Sequence, residues 1–154
     1  MFDIGFNISG IVTLVCGPPY GGKSTYVQER LQPGDLIIDT DAIGAALSGL
    51  PVHQTPDAFK PLLFAARDAV GSALEFYPFV KKVWVVECCP DPVTRTKVMQ
   101  KWRASFTIVM ATPIDVCLER LAASPRPGNV DWEAAIRRWW DSYHPLPTDR
   151  VVAP

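Results

Sequence analysis

Gly17-Pro18-Pro19-Tyr20-Gly21-Gly22-Lys23-Ser24 follows the apolar run Ile11-Val12-Thr13-Leu14-Val15-Cys16 and leads into Thr25-Tyr26-Val27-Gln28-Glu29-Arg30-Leu31. The octapeptide matches G-x-x-x-x-G-K-S/T at every fixed position, the spacing of a phosphate-binding loop. The run before it reads as a buried strand and the stretch after it as the opening of a helix. A strand, a loop and a helix are what the motif needs, because its backbone N–H groups must converge on an anion at a helix N-terminus. The glycines let the backbone curl around phosphate oxygens without a Cβ in the way. Gly17, Pro18, Pro19, Tyr20, Gly21, Gly22, Lys23, Ser24 and Thr25 are therefore expected to cradle a nucleotide. Lys23 reaches the β- and γ-phosphates, and the Ser24 hydroxyl ligates Mg²⁺. No N-K-x-D-type guanine signal is present, which points to ATP with Mg²⁺.

The 154 residues predict one domain over 1–154. An apolar fraction of 48% and a charged fraction of 20% fit a globular chain with a sizeable core. No apolar run reaches the length of a membrane span, and the N-terminus does not read as a signal peptide. Cys16, Cys88, Cys89 and Cys117 form no C-x-x-C pair and lie in or beside apolar segments. They read as reduced thiols of a cytoplasmic protein, with Cys88-Cys89 as a reactive pair the less favoured option. The net charge of −1 disfavours a protein that coats nucleic acid. Residues 1–80 carry a net −4 and residues 81–154 a net +3. The basic half holds either an arginine-bearing lid or ordinary solvated helix faces.

Along the chain, strands are expected at about 11–16, 35–38, 83–86 and 106–110, with 149–152 as a short fifth. Residues 1–10 read as an edge strand or a loose arm. Helices are expected at about 23–32, 41–48, 55–77, 91–103, after Thr112, and 131–143. The third is expected to be capped by Thr55, with Pro56 at its first position, and to bury Phe59, Leu63, Ala66, Val70 and Leu74. Thr112, followed three positions later by Asp115, is expected to cap the fifth. Trp132, Ile136, Trp139 and Tyr143 share a face of the last helix and read as core. Ser124-Pro125-Arg126-Pro127-Gly128-Asn129 reads as a loop, within a lid at about 122–131. Near-continuous apolar strands alternating with helices predict an α/β fold with a mainly parallel sheet of four or five strands.

A phosphate cradle serves kinases, motors and GTPases alike, so other residues must identify the chemistry. Asp39 and Asp41 stand at the carboxyl end of the second predicted strand, where ligands of open α/β sheets bind. Asp41 is either a general base for an attacking hydroxyl or a helix N-cap. Asp39 is a cap or reaches Mg²⁺ through water. Glu87 ends the third strand, either at a Walker-B-like position or as an ordinary terminal acid. Phosphoryl transfer also needs cations against developing charge. Arg120 and Arg126 suit a lid that folds over ATP, with surface charge as the plain alternative. Arg95 is a weaker candidate for gripping substrate.

GPPYGGKST, IIDTDAIGAAL, and the strand Thr107–Thr112 leading into Pro113-Ile114-Asp115-Val116-Cys117-Leu118-Glu119-Arg120 together resemble the small P-loop kinases. The pattern is most similar to polynucleotide 5′-hydroxyl kinase domains and to phage-encoded proteins labelled AAA-type ATPases. The similarity covers about residues 11–127. It implies a nucleotide-kinase-like three-layer sandwich with a short lid, working in the cytoplasm, for a phage protein that of the host. It also implies that Asp41 activates an acceptor hydroxyl, and that Arg126, or else Arg120, is the lid arginine. In that family's polynucleotide kinases an arginine three residues after this aspartate holds the acceptor phosphate. Gly44 occupies that position here.

The expected function is transfer of the ATP γ-phosphoryl group to a hydroxyl or phosphate acceptor: a nucleic-acid 5′ end, a nucleoside or nucleotide, or another small molecule. The alternative is an ATP-binding or hydrolysing module that acts through a partner. The chain is short for a motor with a separate helical lid domain. A non-catalytic nucleic-acid binder would need exposed stacking surfaces, for which Trp140 is the tryptophan to test.

Overall fold

The computed structural model describes residues 5–154. Five strands form one sheet: β1 Ile11–Cys16, β2 Leu36–Asp39, β3 Lys82–Glu87, β4 Phe106–Met110 and β5 Asp149–Val152. They lie in the order β2-β3-β1-β4-β5, and every pairing is parallel. The central β1 pairs Cys16 with Glu87 on one side and with Val109 on the other. This register brings the loop after β1 beside the carboxyl ends of β3 and β4.

Parallel strands need crossovers, and these put helices on both faces. The period of two sorts β1 between them. Val12, Leu14 and Cys16 join Val83, Val85 and Val109 on one face, packed with Leu74, Trp102 and Trp139. Val15 joins Trp84, Val86, Ile108 and Met110 on the other, packed with Val27. Both faces are dry, which is why the strands read as continuous apolar runs.

Six α-helices complete the fold: α1 Lys23–Gln28, α2 Thr40–Ser48, α3 Lys60–Leu74, α4 Pro92–Trp102, α5 Ile114–Ala123 and α6 Trp132–Ser142. Asp91 caps α4 by accepting from Thr94 N at 2.7 Å, as its sequence predicts. Asp131 caps α6 in the same way, accepting from Ala134 N at 2.9 Å. Four expectations need correction. First, α1 stops at Gln28, short of the expected 32, and the chain leaves it in a turn that Arg30 N closes on Val27 O at 3.0 Å.

Second, α3 opens at Lys60 with Pro61 in its first turn, behind a 3₁₀ turn at Asp57–Phe59. Pro61 has no N–H to give to a carbonyl four residues back, so the α-helix cannot begin at Thr55. Leu63 and Leu74 are buried, but Phe59 and Val70 are exposed. Third, Thr112 does not cap α5; its hydroxyl donates to Gly21 O at 2.7 Å. Fourth, of the predicted α6 face only Ile136 and Trp139 are buried.

Residues 1–4, part of the expected N-terminal strand or arm, lie outside the described residues. Residues 5–10 form no strand. Phe6 N donates to Lys101 O at 2.8 Å, and the Phe6 ring meets Trp102 edge-on at 4.8 Å. No described helix is long and apolar enough to cross a membrane. All four cysteines are free.

Candidate functional site

A cavity of about 940 Å³ opens over the carboxyl ends of β1, β2 and β3. The loop 17–24 forms its floor. Gly22 is the N-cap of α1 with φ 87°, and Tyr26 N to Gly22 O at 2.9 Å is the first bond of the helix. The amides of Lys23, Ser24 and Thr25 come before that bond, so they have no carbonyl one turn back. Gly21 N bonds Pro18 O at 3.0 Å, and a Cβ on Gly21 would stand 2.8 Å from that oxygen. The backbone is thus curled into a cradle that a side chain would fill. Unsatisfied amides, an ammonium and a hydroxyl are the donor set of a phosphate site. The residues fit the triphosphate that the motif implies.

Side chains brace the cradle. Lys23 Nζ donates to Gly17 O and Pro18 O at 2.9 and 2.8 Å. Arg120 Nη1 donates to Tyr20 O at 3.0 Å, so this arginine touches the loop backbone. Tyr20, at φ 60°, sends its hydroxyl to Ser124 O at 2.8 Å. That bond joins the phosphate loop to the segment after α5.

Arg126 lies in that segment, between two rings. Its guanidinium carbon is 4.2 Å from the Tyr20 centroid and 4.6 Å from that of Trp132. Burial pushes the Arg126 guanidinium below its usual range, and the charge of Asp41 pulls the other way. Ser24, Arg120, Arg126, Asp39, Asp41 and Glu87 all line the one cavity.

The two aspartates have separate duties. Asp39 is the N-cap of α2, its Oδ1 accepting from Asp41 N at 2.9 Å. Burial raises its carboxyl above the usual range, helped by the charge of Asp41. Asp41 is in the first turn, and it is not the cap. Its Oδ2 is 3.2 Å from His53 Nδ1, and this neighbouring imidazole holds the carboxyl below the usual range. Glu87 reaches the cavity from the end of β3, but Arg67 Nη1 donates to it at 2.6 Å. Burial still raises the Glu87 carboxyl, against the pull of that arginine.

Two candidates fall elsewhere. Arg95 is fully buried away from the cavity. It pairs with Asp149 at 2.9 Å and donates to the carbonyls of Cys89, Pro90 and His144. With its donors spent on the fold, it is a structural tie between α4 and β5, not a substrate grip. Trp140 is no stacking platform either. Its Nε1 donates to Thr112 O at 3.2 Å, and its ring meets Trp139 and Tyr143 edge-on. Trp132, expected in the core, lines the cavity instead.

Sequence reasoning missed His53, Arg67, Thr112 and the hydroxyl of Tyr20. His53 and Arg67 belong to no spaced motif, Tyr20 fills an unspecified position of the phosphate-loop motif, and Thr112 was read as a local cap. The one available signal is that His53 is one of only two histidines. Gly44 is buried on α2, where a Cβ would lie 2.6 Å from Thr55 Oγ1 and 3.1 Å from Leu63 Cδ1. The arginine that polynucleotide kinases carry there has no room in this packing.

No family model and no curated protein matches this sequence. Solved structures do. A chain of the Pnkp1/Rnl/Hen1 RNA repair complex aligns with TM-score 0.68 at 14% identity, over 86% of this chain and 43% of that one. The present chain therefore spans less than half the length of that relative. A sugar kinase from Janibacter sp. HTCC2649 aligns with TM-score 0.56 at 14% identity, over 94% of this chain and 84% of that one. A gluconokinase from Sinorhizobium meliloti 1021 gives 0.55 at 17%, over 97% and 83%. The chain has the fold of the small P-loop kinases.

Proposed function

We propose that this chain is an ATP-dependent phosphotransferase acting on an acceptor hydroxyl. One observation carries the reading: the phosphate cradle, an arginine held between rings, and a histidine-paired carboxylate in the first turn of α2 all face a single cavity. ATP with Mg²⁺, when bound, supplies the transferable phosphoryl group and neutralises charge between its β- and γ-phosphates.

The chain's own residues do the rest. The amides of Lys23 to Thr25 bind phosphate oxygens, and Lys23 exchanges its two carbonyl partners for phosphate. Ser24 is the residue that would hold Mg²⁺. Among the described residues no cluster of three His, Cys, Asp or Glu side chains forms a cation cage. That suits an ion held mainly by phosphates and water, with one or two protein groups. Asp39 is the freer carboxylate for an outer role, because Glu87 is engaged by Arg67.

Asp41 takes the proton as the acceptor oxygen bonds to the γ-phosphorus and the bond to the β-phosphate oxygen breaks. Its lowered pKa keeps it ionised and ready well below neutral pH, at some cost in basicity. Arg126 sets positive charge against the transferring group, and Arg120 keeps the loop backbone in place. The absence of room at residue 44 favours acceptors other than a polynucleotide end.

The test is Asp41→Asn. It should keep ATP affinity and lose transfer by about 10²–10⁴-fold, the range for general acid–base groups. Transfer at the wild-type rate would remove Asp41 from the mechanism. One feature favours a second reading, an ATP-binding module that acts through a partner. Phe76 and Phe79, at the amino end of β3 and far from the cavity, are 78% and 71% exposed. The destination of the γ-phosphate separates the two readings.

A further inference from the structure

His53 stands in the cavity wall on the turn between α2 and the 3₁₀ turn. Its backbone has φ 70°, a left-handed conformation that a non-glycine residue adopts at a cost. The strain is spent on one contact: Nδ1 lies 3.2 Å from Asp41 Oδ2, with the imidazole 23% and the carboxylate 58% exposed. Among the described residues His53 is the one side chain paired with that carboxylate. Asp39 repels it, while Arg126 and Lys23 attract it, all three through charge alone. The imidazole and the Trp132 ring lie at a steep angle with centroids 5.9 Å apart, and Trp132 carries Arg126 on its face. His53 thus sits between Trp132 and the carboxylate.

We propose that His53 is a positioning residue for phosphoryl transfer: its Nδ1–H grips Asp41 Oδ2 and so aims Oδ1 at the acceptor hydroxyl. The proposal rests on the reading of Asp41 as the proton acceptor. An exposed carboxylate in the first turn of a helix is otherwise free to rotate about two bonds, and catalytic geometry tolerates only about 0.5 Å. A base oriented by a third group is the arrangement that nucleophile activation recurrently uses. Proton balance is simple. The acceptor proton moves to Oδ1, His53 keeps its own proton on Nδ1, and water takes the proton from Asp41 after the product leaves.

The left-handed backbone makes the test unusually clean. Asn tolerates this conformation, and its Nδ2 falls where the imidazole Nδ1 stands. Gly accepts the same φ with no donor at all. Gln carries its N–H one bond too far. His53→Asn should keep kcat within a few-fold, while His53→Gly and His53→Gln should lose about 10²-fold, the scale of an ångström-sized misplacement. KM for ATP should stay unchanged in all three. A merely structural histidine would instead let Gly, which relieves strain, work as well as Asn.

A second readout needs no acceptor. His53 and His144 are the only histidines, so ¹H–¹⁵N imidazole correlations are readily assigned with His53→Asn. The His53 ring should favour the Nδ1–H tautomer and lose that preference in Asp41→Ala. A His53 pattern unmoved by Asp41→Ala overturns the pairing. Wild-type kcat in His53→Gly, beside an inactive Asp41→Asn, overturns the positioning role alone. Wild-type transfer in Asp41→Asn overturns the base assignment, and the inference falls with it.

Discussion

At the scale of single residues, Asp39 and Asp41 show how two positions in sequence separate opposite electrostatics. Both carboxylates lie near the start of α2. Asp39 spends an oxygen on two backbone amides yet remains desolvated, and Asp41 faces the cavity with a histidine partner. Their linkage to stability has opposite signs. The folded pKa of Asp39 is raised, so the folded state gains stability as pH falls through that value and loses it at neutral pH. The folded pKa of Asp41 is lowered, so its contribution is present above the ordinary carboxylate range and is lost as pH falls through the folded value. Asp39→Asn should therefore raise the melting temperature at pH 7, because Asn caps helices as well as Asp. The gain should shrink toward pH 4, and scanning calorimetry across that range would measure it. Lys23→Ala acts on binding instead. It should abolish the thermal shift produced by ATP·Mg²⁺ and leave the melting temperature of the free chain almost unchanged, since Lys23 bonds only to its own loop.

At the scale of elements, two contacts hold the frame of the site. Arg95 and Asp149 tie α4 to β5, with both side chains fully buried. Removing one partner strands the other charge, which costs about 3–5 kcal/mol. Arg95→Ala should lower unfolding free energy in urea by that amount, and adding Asp149→Ala should cost much less than a second such loss. The other contact is the close approach of α2 to α3 and to the turn before it. A methyl group at residue 44 meets Thr55 and Leu63, so Gly44→Ala should cost about 1–3 kcal/mol, the usual range for overpacking. Elements were legible where one local signal decided them. The continuous apolar run of β1 and the Asp91-Pro92 cap were of that kind. The start of α3 was misread because Pro56 and Pro61 offer competing first turns, and only Pro61 ends up inside the α-helix. The hydroxyl of Thr112 was misread because a contact 91 residues away outcompeted the local cap.

At the scale of the molecule, the sequence offered the candidate phosphate cradle as one motif, and of the wall across from it offered Asp41 and Arg126 but not His53. The cradle is one contiguous motif, whose geometry follows from its own glycines and the strand and helix that flank it. The wall proposed to face an acceptor is assembled from α2, a turn, the segment after α5 and the first residue of α6. His53, Arg126 and Trp132 meet there only once the parallel sheet has stacked its crossovers. The all-parallel order β2-β3-β1-β4-β5 brings the ends of β1, β2 and β3 to one cavity, and this convergence makes transfer the central claim. The most direct measurement follows labelled γ-phosphate from ATP·Mg²⁺ in the presence of 5′-hydroxyl oligonucleotides, nucleosides, nucleoside monophosphates and sugars, with Lys23→Ala as control. Label should appear on one acceptor class, vanish with Lys23→Ala, and fall about 10²–10⁴-fold with Asp41→Asn. Label released only as inorganic phosphate, or ATP bound without turnover, would contradict the phosphotransferase account.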